Sequence, residues 1–284
     1  MRVLVTGSQG SVGSIVTPMI IEAGHEVMST DRRSSRSSEW EHVPADITDP
    51  FMIRRLAMGM EAVVHLAAIA GERQSDPDTT FRINVEGTWN VLQAAAEVGA
   101  KKVVFFSSIQ AIGVSGFQPP PRILPIDDSN PSCPRPAYGL SKLVGEEMCR
   151  SFTSRHGFST YCLRPCFVSN PDNYQRWTDW DPPRLKRWMA GDLFAFVDVR
   201  DVGRAVLACL DDSVEGRHGR YLLSAADNMG GWDTLELVRE CYPGVEWNAP
   251  EGYLDRPDRS LVNTCAIRND LGWEPIYGRE KKDV

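Results

Sequence analysis

At 284 residues the chain exceeds one average domain but falls short of two full ones, so one α/β domain with a smaller appendage is expected. Its 42% hydrophobic and 24% charged residues allow a sizeable core and exclude a disordered chain. A net charge of −7 and a pI of about 5.3 argue against nucleic acid and against an acidic membrane surface as partner.

The chain opens on Arg2-Val3-Leu4-Val5, a short strand, then Thr6-Gly7-Ser8-Gln9-Gly10-Ser11-Val12-Gly13, then an apolar helix from Ile15 to Ile21. Strand, glycine turn and helix begin a dinucleotide-binding βαβ unit. Gly7 permits the tight turn, Gly10 lets backbone approach a pyrophosphate, and Gly13 lets helix and strand pack closely. Free N–H groups at the helix start face the phosphates. His25 to Thr30 is the second strand and ends at Asp31, 18 residues beyond Gly13. A carboxylate there accepts the adenosine ribose hydroxyls and repels a 2′-phosphate, which favours NAD over NADP. Arg32 and Arg33 point the other way, because a guanidinium can clamp a phosphate.

A strand over His42–Ala45 comes next. Asp46 and Ile47 border the adenine at its end, and a helix starts with Asp49 as cap and Pro50 at its first position. Ala62 to Ala68 is a buried strand whose last residues, Leu66, Ala67 and Ala68, are small enough at Ala67 and Ala68 for a cofactor to pass. His65 within it is expected to be a hydrogen-bonded core histidine. Pro77–Val98 is a long helix ended by Gly99, and Lys102–Ser107 another strand. Apolar strands alternating with helices imply a parallel sheet covered on both faces. Gly116 to Pro136 then carries seven prolines and no periodicity, a loop of functional length.

Ala137–His156 is helical and holds Tyr138-Gly139-Leu140-Ser141-Lys142. Tyrosine and lysine four apart share a helix face. Lowering a phenol from about 10 towards about 7 needs roughly 4 kcal/mol at 1.36 kcal/mol per unit. A nearby ammonium and an oxidised nicotinamide are the expected sources. Ser107-Ser108 close the preceding strand at the sheet edge where ligands bind, so Ser108 is placed to hold a substrate oxygen against Tyr138. Glu146 and Glu147 read as a solvated helix face. Thr160–Arg164 is a strand ending at Pro165. From Cys166 to Met189 the composition changes, with Trp177, Trp180 and Trp188 suited to a sugar ring, to core packing or to an interface. Phe194–Val197 and Arg220–Ser224 read as strands around a helix from Val199 to Leu210, for which Asp198 and Asp201 serve as caps. Helices near Asp233–Cys241 and Ala266–Leu271 complete the chain.

Seven cysteines without a C-x-x-C pair, no metal-ligand spacing, no apolar run of membrane-spanning length and no basic, apolar leader suggest a metal-free cytoplasmic protein.

These motifs together resemble the extended short-chain dehydrogenase/reductases, the NAD-dependent epimerase/dehydratase superfamily. The similarity runs from Thr6–Gly13 and Asp31 through Asp46–Asp49, His65–Ala68, Asn84–Thr88, Ser107-Ser108 and Tyr138–Lys142. It continues in Leu163-Arg164-Pro165, Phe196–Val202 and Leu271–Pro275. The resemblance implies a Rossmann-type doubly wound parallel sheet with a small mixed C-terminal substrate-binding subdomain. On that reading residues 1–165 with 195–226 bind NAD, and 166–194 with 227–284 bind substrate. It further implies a Ser108-Tyr138-Lys142 triad, with Lys142 also on the nicotinamide ribose. The implied cofactor contacts include Gln9, Ser11, Val12, Asn84, Ser107 and Pro165. Helices Pro77–Val98 and Ala137–His156 would pair across the two-fold axis of a homodimer.

Nucleotide-sugar epimerases carry Asn soon after the Leu-Arg pair, where Phe167 stands here. The short C-terminal part and residues 171–177 resemble uronate dehydrogenases, with Arg176 suited to a substrate carboxylate. That group's polar positions are Ala70 and Ile109 here. Three readings follow: a dehydrogenase of a sugar, sugar acid or similar polar small molecule, with Ser108, Ile109, Phe167 and Arg176 around the substrate; a nucleotide-sugar epimerase or dehydratase that retains NAD; or a nucleotide-sensing protein without turnover.

Overall fold

The computed structural model describes residues 1–35, 40–71, 75–114, 120–170, 173, 180–248 and 250–279. Its centre is a seven-stranded parallel sheet. In chain order the strands are β1 (Arg2–Thr6), β2 (Glu26–Thr30), β3 (Glu41–His42), β4 (Ala62–His65), β5 (Lys102–Phe106), β7 (Ser159–Pro165) and β10 (His218–Leu223). Across the sheet they run β10-β7-β5-β4-β1-β2-β3. The order reverses at β1, which lies between β2 and β4. Crevices at the carboxyl ends of such a reversal are where doubly wound sheets hold ligands.

Both faces are covered, as continuous apolar strands require. All of β4 and β7 is buried. On one face α1 (Gly13–Glu22) and α6 (Val199–Asp211) pack Val16, Ile20, Val202 and Val206 against Val3, Val5, Val64 and Val104. On the other, α2 (Pro50–Ala57), α3 (Pro77–Glu97) and α4 (Ala137–His156) pack Ile53, Leu92 and Phe152 against Leu4, Val63 and Phe105. Asp49 caps α2 by accepting the Phe51 and Met52 N–H groups, with Pro50 next to it.

A third core gathers segments far apart in sequence. Leu124 and Ile126 of the proline-rich loop meet Leu185 and Met189 of α5 (Pro182–Met189), and Phe194, Leu237, Tyr253 and Leu261. The loop is less irregular than its composition suggests. Its β6 (Ile123–Leu124) pairs with β11 (Glu246–Trp247), and Ile126 bridges to Val262, which ties the loop to the C-terminal part. The strand expected over Phe194–Val197 is β9 (Phe196–Asp198). It pairs with β8 (Phe167–Ser169) rather than joining the large sheet. Leu193 and Phe194 both have left-handed φ (57° and 55°), turning the chain sharply before it. The strand expected over His42–Ala45 is two residues long. Its pairing continues only as bonds from Val43 N–H to Ser29 and from Ala45 N–H to Asp31, and Pro44 between them falls where the N–H would face the open edge.

Asp198 caps α6 through the Arg200 N–H. Asp201, expected to serve the same helix, instead accepts the Ile276 and Tyr277 N–H groups at 2.9–3.2 Å and the Arg204 guanidinium at 2.7 Å. It anchors the C-terminal segment.

Candidate active site

The glycine turn is held from three sides. Gly7 has φ +76°, gives its N–H to Thr30 (2.7 Å), and lies so near β4 that a Cβ on it would sit 2.5 Å from the Ala67 nitrogen. A Cβ on Gly13 would meet the Gly7 carbonyl oxygen at 2.1 Å, so helix and strand approach as closely as backbone allows. Above this turn is a cavity of about 640 Å³. Of the residues expected at the cofactor, Gly7, Gly10, Ser11, Val12, Gly13, Asp31, Arg32, Asp46, Ile47, Leu66, Ala67, Ala68, Tyr138 and Lys142 line it. Arg33, Ala45, Ile69, Ala70, Ile83 and Phe106 join them.

Asp31 is braced rather than free. Its carboxylate accepts the Gln9 N–H (3.2 Å), the Arg33 N–H (3.1 Å) and the Arg33 guanidinium (3.3 Å). The same guanidinium reaches the Gln9 carbonyl at 2.5 Å. Arg33 is thus engaged on the carboxylate, which keeps an acceptor at the cavity's edge. Asp46 accepts from Thr48 N and Oγ1 at 2.9 and 2.8 Å, a tight turn that fixes the cavity's far wall. Asn84 does not line the cavity. It grips Ile69 through both amide atoms and donates to Ser141, so it positions the β4 end loop against α4. His65 is buried between the hydroxyls of Thr6 and Thr88, and burial holds its imidazole down to about 3.

At the opposite end of the cavity stands Tyr138, in the first turn of α4 and 8% exposed. Ser108 lies close enough to its hydroxyl to favour the ionised form. Ser108 Oγ accepts the Gln110 N–H at 3.1 Å, which leaves its own proton to give. Lys142 Nζ donates to the Phe106 carbonyl at 2.7 Å and stands 5.7 Å from the phenol ring centre. Burial pushes the phenol up to about 12, with Ser108 working against it, and burial pulls the ammonium down to about 8. The expected lowering of the phenol by Lys142 is therefore absent in the chain by itself, because that ammonium is turned to a backbone carbonyl.

Four expected site residues lie elsewhere. Ser107 donates to Glu146 at 2.5 Å, and Pro165 is buried at the end of β7. Ile109 is buried in the third core and does not border the cavity. Phe167, half-buried, packs edge-to-face on Trp188 at 5.0 Å, and Trp188 in turn on Trp180 at 5.1 Å. Arg176 and Trp177 lie outside the described residues. Glu146 corrects a sequence expectation. It is fully buried rather than solvated, in a two-bond pair with Arg164 at 2.6 and 2.8 Å. Glu147 is the partly exposed one and pairs with Arg150.

The cradle suits a dinucleotide: a side-chain-free turn at a helix start, a braced carboxylate at one end and a buried phenol at the other. The NAD-dependent epimerase/dehydratase family model matches residues 3–224. The chain belongs to this family. It is therefore an NAD-dependent enzyme acting on a small molecule. A UDP-glucose 4-epimerase of Streptomyces lividans is 32% identical, with 96% of this chain and 91% of that one covered. A uronate dehydrogenase of Pseudomonas syringae pv. tomato is 27% identical over 63% of this chain and 64% of its own. Among solved structures, a short-chain dehydrogenase/reductase superfamily protein of Agrobacterium tumefaciens with bound NAD has a TM-score of 0.75. It is 24% identical, and 99% of this chain and 94% of that one are covered, a likeness of fold. Among the described residues no helix is long and apolar enough to cross a membrane, and no cluster of His, Cys, Asp or Glu suits a metal.

Proposed function

We propose that the protein oxidises or reduces a carbinol carbon of a sugar, sugar acid or similar polar small molecule. Ser108, Tyr138 and Lys142 carry the reaction. The observation that supports this most is that one cavity is lined by the glycine turn, the Tyr138 phenol and Lys142. The cavity's residues would hold NAD, which would supply the hydride donor or acceptor for the substrate carbon. Tyr138 Oη exchanges the matching proton with the substrate oxygen, and Ser108 Oγ–H holds that oxygen in line. Lys142 would hold the nicotinamide ribose, and the phenol would gain acidity from the charge the ligand brings. The Gly7–Gly13 turn receives the pyrophosphate on free N–H groups, and Asp31 receives the adenosine ribose. The third core, with Phe167 and Trp188 at its margin, forms the substrate side.

Purified protein is incubated with NAD and a panel of sugars, uronic acids and nucleotide sugars, and NADH formation is followed. Substrate-dependent NADH supports the dehydrogenase. Tyr138→Phe should lower turnover by about 10²–10⁴-fold, the usual worth of a positioned acid/base, while NADH binding persists. Equal turnover in that variant refutes the assignment. The second reading, a nucleotide-sugar epimerase, is favoured by relatives of that name that align with 96–98% of this chain. It predicts interconversion of UDP-sugars, without net NADH, by protein that retains NAD through purification.

A further inference from the structure

We propose that Arg164 is the positioning residue of the Ser108–Tyr138–Lys142 set, holding α4 through Glu146 and the 120–136 loop through Asp128 from one buried guanidinium. The inference rests on the reading of that set given above.

Arg164 is the largest fully buried side chain, on a strand buried throughout. Its Nε and Nη2 grip the two oxygens of Glu146 at 2.8 and 2.6 Å. Glu146 lies one turn beyond Lys142 and two beyond Tyr138, on the same face of α4. The same carboxylate accepts Ser107 Oγ at 2.5 Å, so the residue before Ser108 is fixed by the same group. On the other side Nη2 reaches Ser132 at 3.5 Å, and Nη1 stands 3.6 Å from Asp128. Nη1 has no hydrogen-bond partner in this arrangement although it is buried. Asp128 in turn accepts the Leu222 N–H of β10 at 3.0 Å. One guanidinium thus connects β5, β7, α4, β10 and the loop that leads into Tyr138.

The connection to the loop is the loose one, and its carboxylate titrates near neutrality. Burial pushes Asp128 up to about 7, against the Leu222 N–H and Arg164. The groups facing it are Arg164 and the Cys166 thiol at the β7 end, Glu146 on α4 and Asp127 on its own loop. Because burial outweighs the attraction of Nη1, the packed loop holds the neutral acid better than the carboxylate, and ionisation above pH 7 loosens the loop from β7. Below pH 7 the neutral acid stays packed beside the Leu222 N–H, and Glu146 keeps its hold on Arg164 on either side of that pH. A bidentate guanidinium is needed, because a lysine ammonium cannot serve Glu146 and Asp128 together in this geometry.

Hydrogen exchange of the full chain, with and without NADH, at pH 6 and pH 8 and corrected for intrinsic rates, tests this apart from catalysis. In the wild type, peptides of 120–136 should be better protected at pH 6, and Asp128→Asn should erase that difference. Arg164→Lys should loosen 120–136 and the first turns of α4 and leave α1 unchanged. A wild-type loop indifferent to pH, an unchanged pH step in Asp128→Asn, or equal loosening of α1 in Arg164→Lys overturns the proposal. If Arg164→Lys does not fold, the Asp128→Asn comparison decides alone. With a substrate in hand, Arg164→Lys should lower kcat about tenfold with NADH affinity within about twofold, as expected for misplacement rather than lost binding; an unchanged kcat overturns it. Absence of wild-type turnover would count against the proposed function, and the exchange data would still judge this one.

Discussion

Replacing Gly13 by alanine isolates the glycine turn. The new Cβ would lie 2.1 Å from the Gly7 carbonyl oxygen and 2.8 Å from Ser8 Cα, against 3.4 Å or more for ordinary contact. Neither obstacle is a side chain that can swing aside. The Gly7 carbonyl also accepts the Gly10 N–H at 3.0 Å, and Gly7 is pinned to Thr30, so relief must open the turn by about an ångström. Overpacking of this kind costs about 1–3 kcal/mol, and alanine returns about 1 kcal/mol as a better helix former than glycine, leaving a net loss of about 1–2 kcal/mol. Cofactor affinity should suffer more. A backbone N–H bonded to a charged phosphate contributes about 1.5–3 kcal/mol, so misaligning two weakens binding by about 10²–10⁴-fold. Gly24→Ala is the control. Gly24 has φ +87° but nothing within 4 Å of a Cβ, and it precedes β2 at the opposite edge of the sheet. Its strain costs about 1–2 kcal/mol without touching the cavity. Thermal melts with NADH fluorescence titration compare the pair. Similar losses of melting temperature with only Gly13→Ala losing affinity are expected. NADH affinity within threefold of wild type in Gly13→Ala would refute the reasoning.

His65 and Asp128 give opposite pH dependences. A histidine held at about 3 leaves the unfolded chain binding the extra proton below 6.5, so its contribution to stability falls by ~1.4 kcal/mol per pH unit on acidification from 6.5 towards 3. An aspartate raised to about 7 binds its proton in the folded state first, so its contribution falls as pH rises from about 4 to 7. Removing the second with Asp128→Asn should make melting temperature drop more steeply than wild type between pH 6.5 and 5; parallel curves would contradict this. Asp201→Ala should free the segment from Trp273 to Arg279 and cost about 3 kcal/mol through lost charge-assisted bonds to Ile276 and Tyr277. Hydrogen exchange confined to that segment and a chemical denaturation curve check it. In the free protein, the tyrosinate ultraviolet band lost in Tyr138→Phe should be absent at pH 8; a Tyr138 that ionises near pH 7 without ligand would show that burial is not the dominant influence.

The sheet, the glycine turn and most helix ends were legible because each is written locally. Alternating apolar runs, Asp49-Pro50 and glycines after helices need no distant partner to be read. Arg164 and Glu146 were not, because a charge reveals its burial only through a partner eighteen positions away. A signal was present. Arg164 stands within Thr-Tyr-Cys-Leu-Arg-Pro-Cys, an otherwise uncharged strand that must be buried on both faces. Glu146 continues the 138–142 spacing by four more residues, which puts it on the helix face that Tyr138 and Lys142 present inward. The pairing of β8 with β9 was hidden for a different reason. Phe194–Val197 has a strand's composition wherever it lies, and the left-handed turn at Leu193 and Phe194 that takes it off the large sheet has no glycine to announce it. Ile109, two residues past the strand end that carries Ser107, was assigned to the substrate by position. The one-turn helix after Ser108 rotates its side chain into the third core.

Burial explains why the cavity's reactive groups are quiet in the free chain. A phenol at about 12 needs about 7 kcal/mol to reach 7, at 1.36 kcal/mol per unit. Lys142 does not provide it while bonded to the Phe106 carbonyl. The free protein therefore holds Tyr138 as a neutral acid, the state required to give a proton to a carbonyl oxygen in the reductive direction. The oxidative direction needs phenolate character, which has to arrive with ligand charge. The low-dielectric surroundings that raise the phenol's pKa also magnify a positive charge brought within a few ångströms. The same burial thus suppresses ionisation without ligand and amplifies it with ligand; under the proposed function, Ser108 would set the direction in which the proton leaves. A more exposed tyrosine would start nearer 10 and gain less from each added charge, so under the proposed function the depth of Tyr138 would couple proton transfer to occupancy of the cavity.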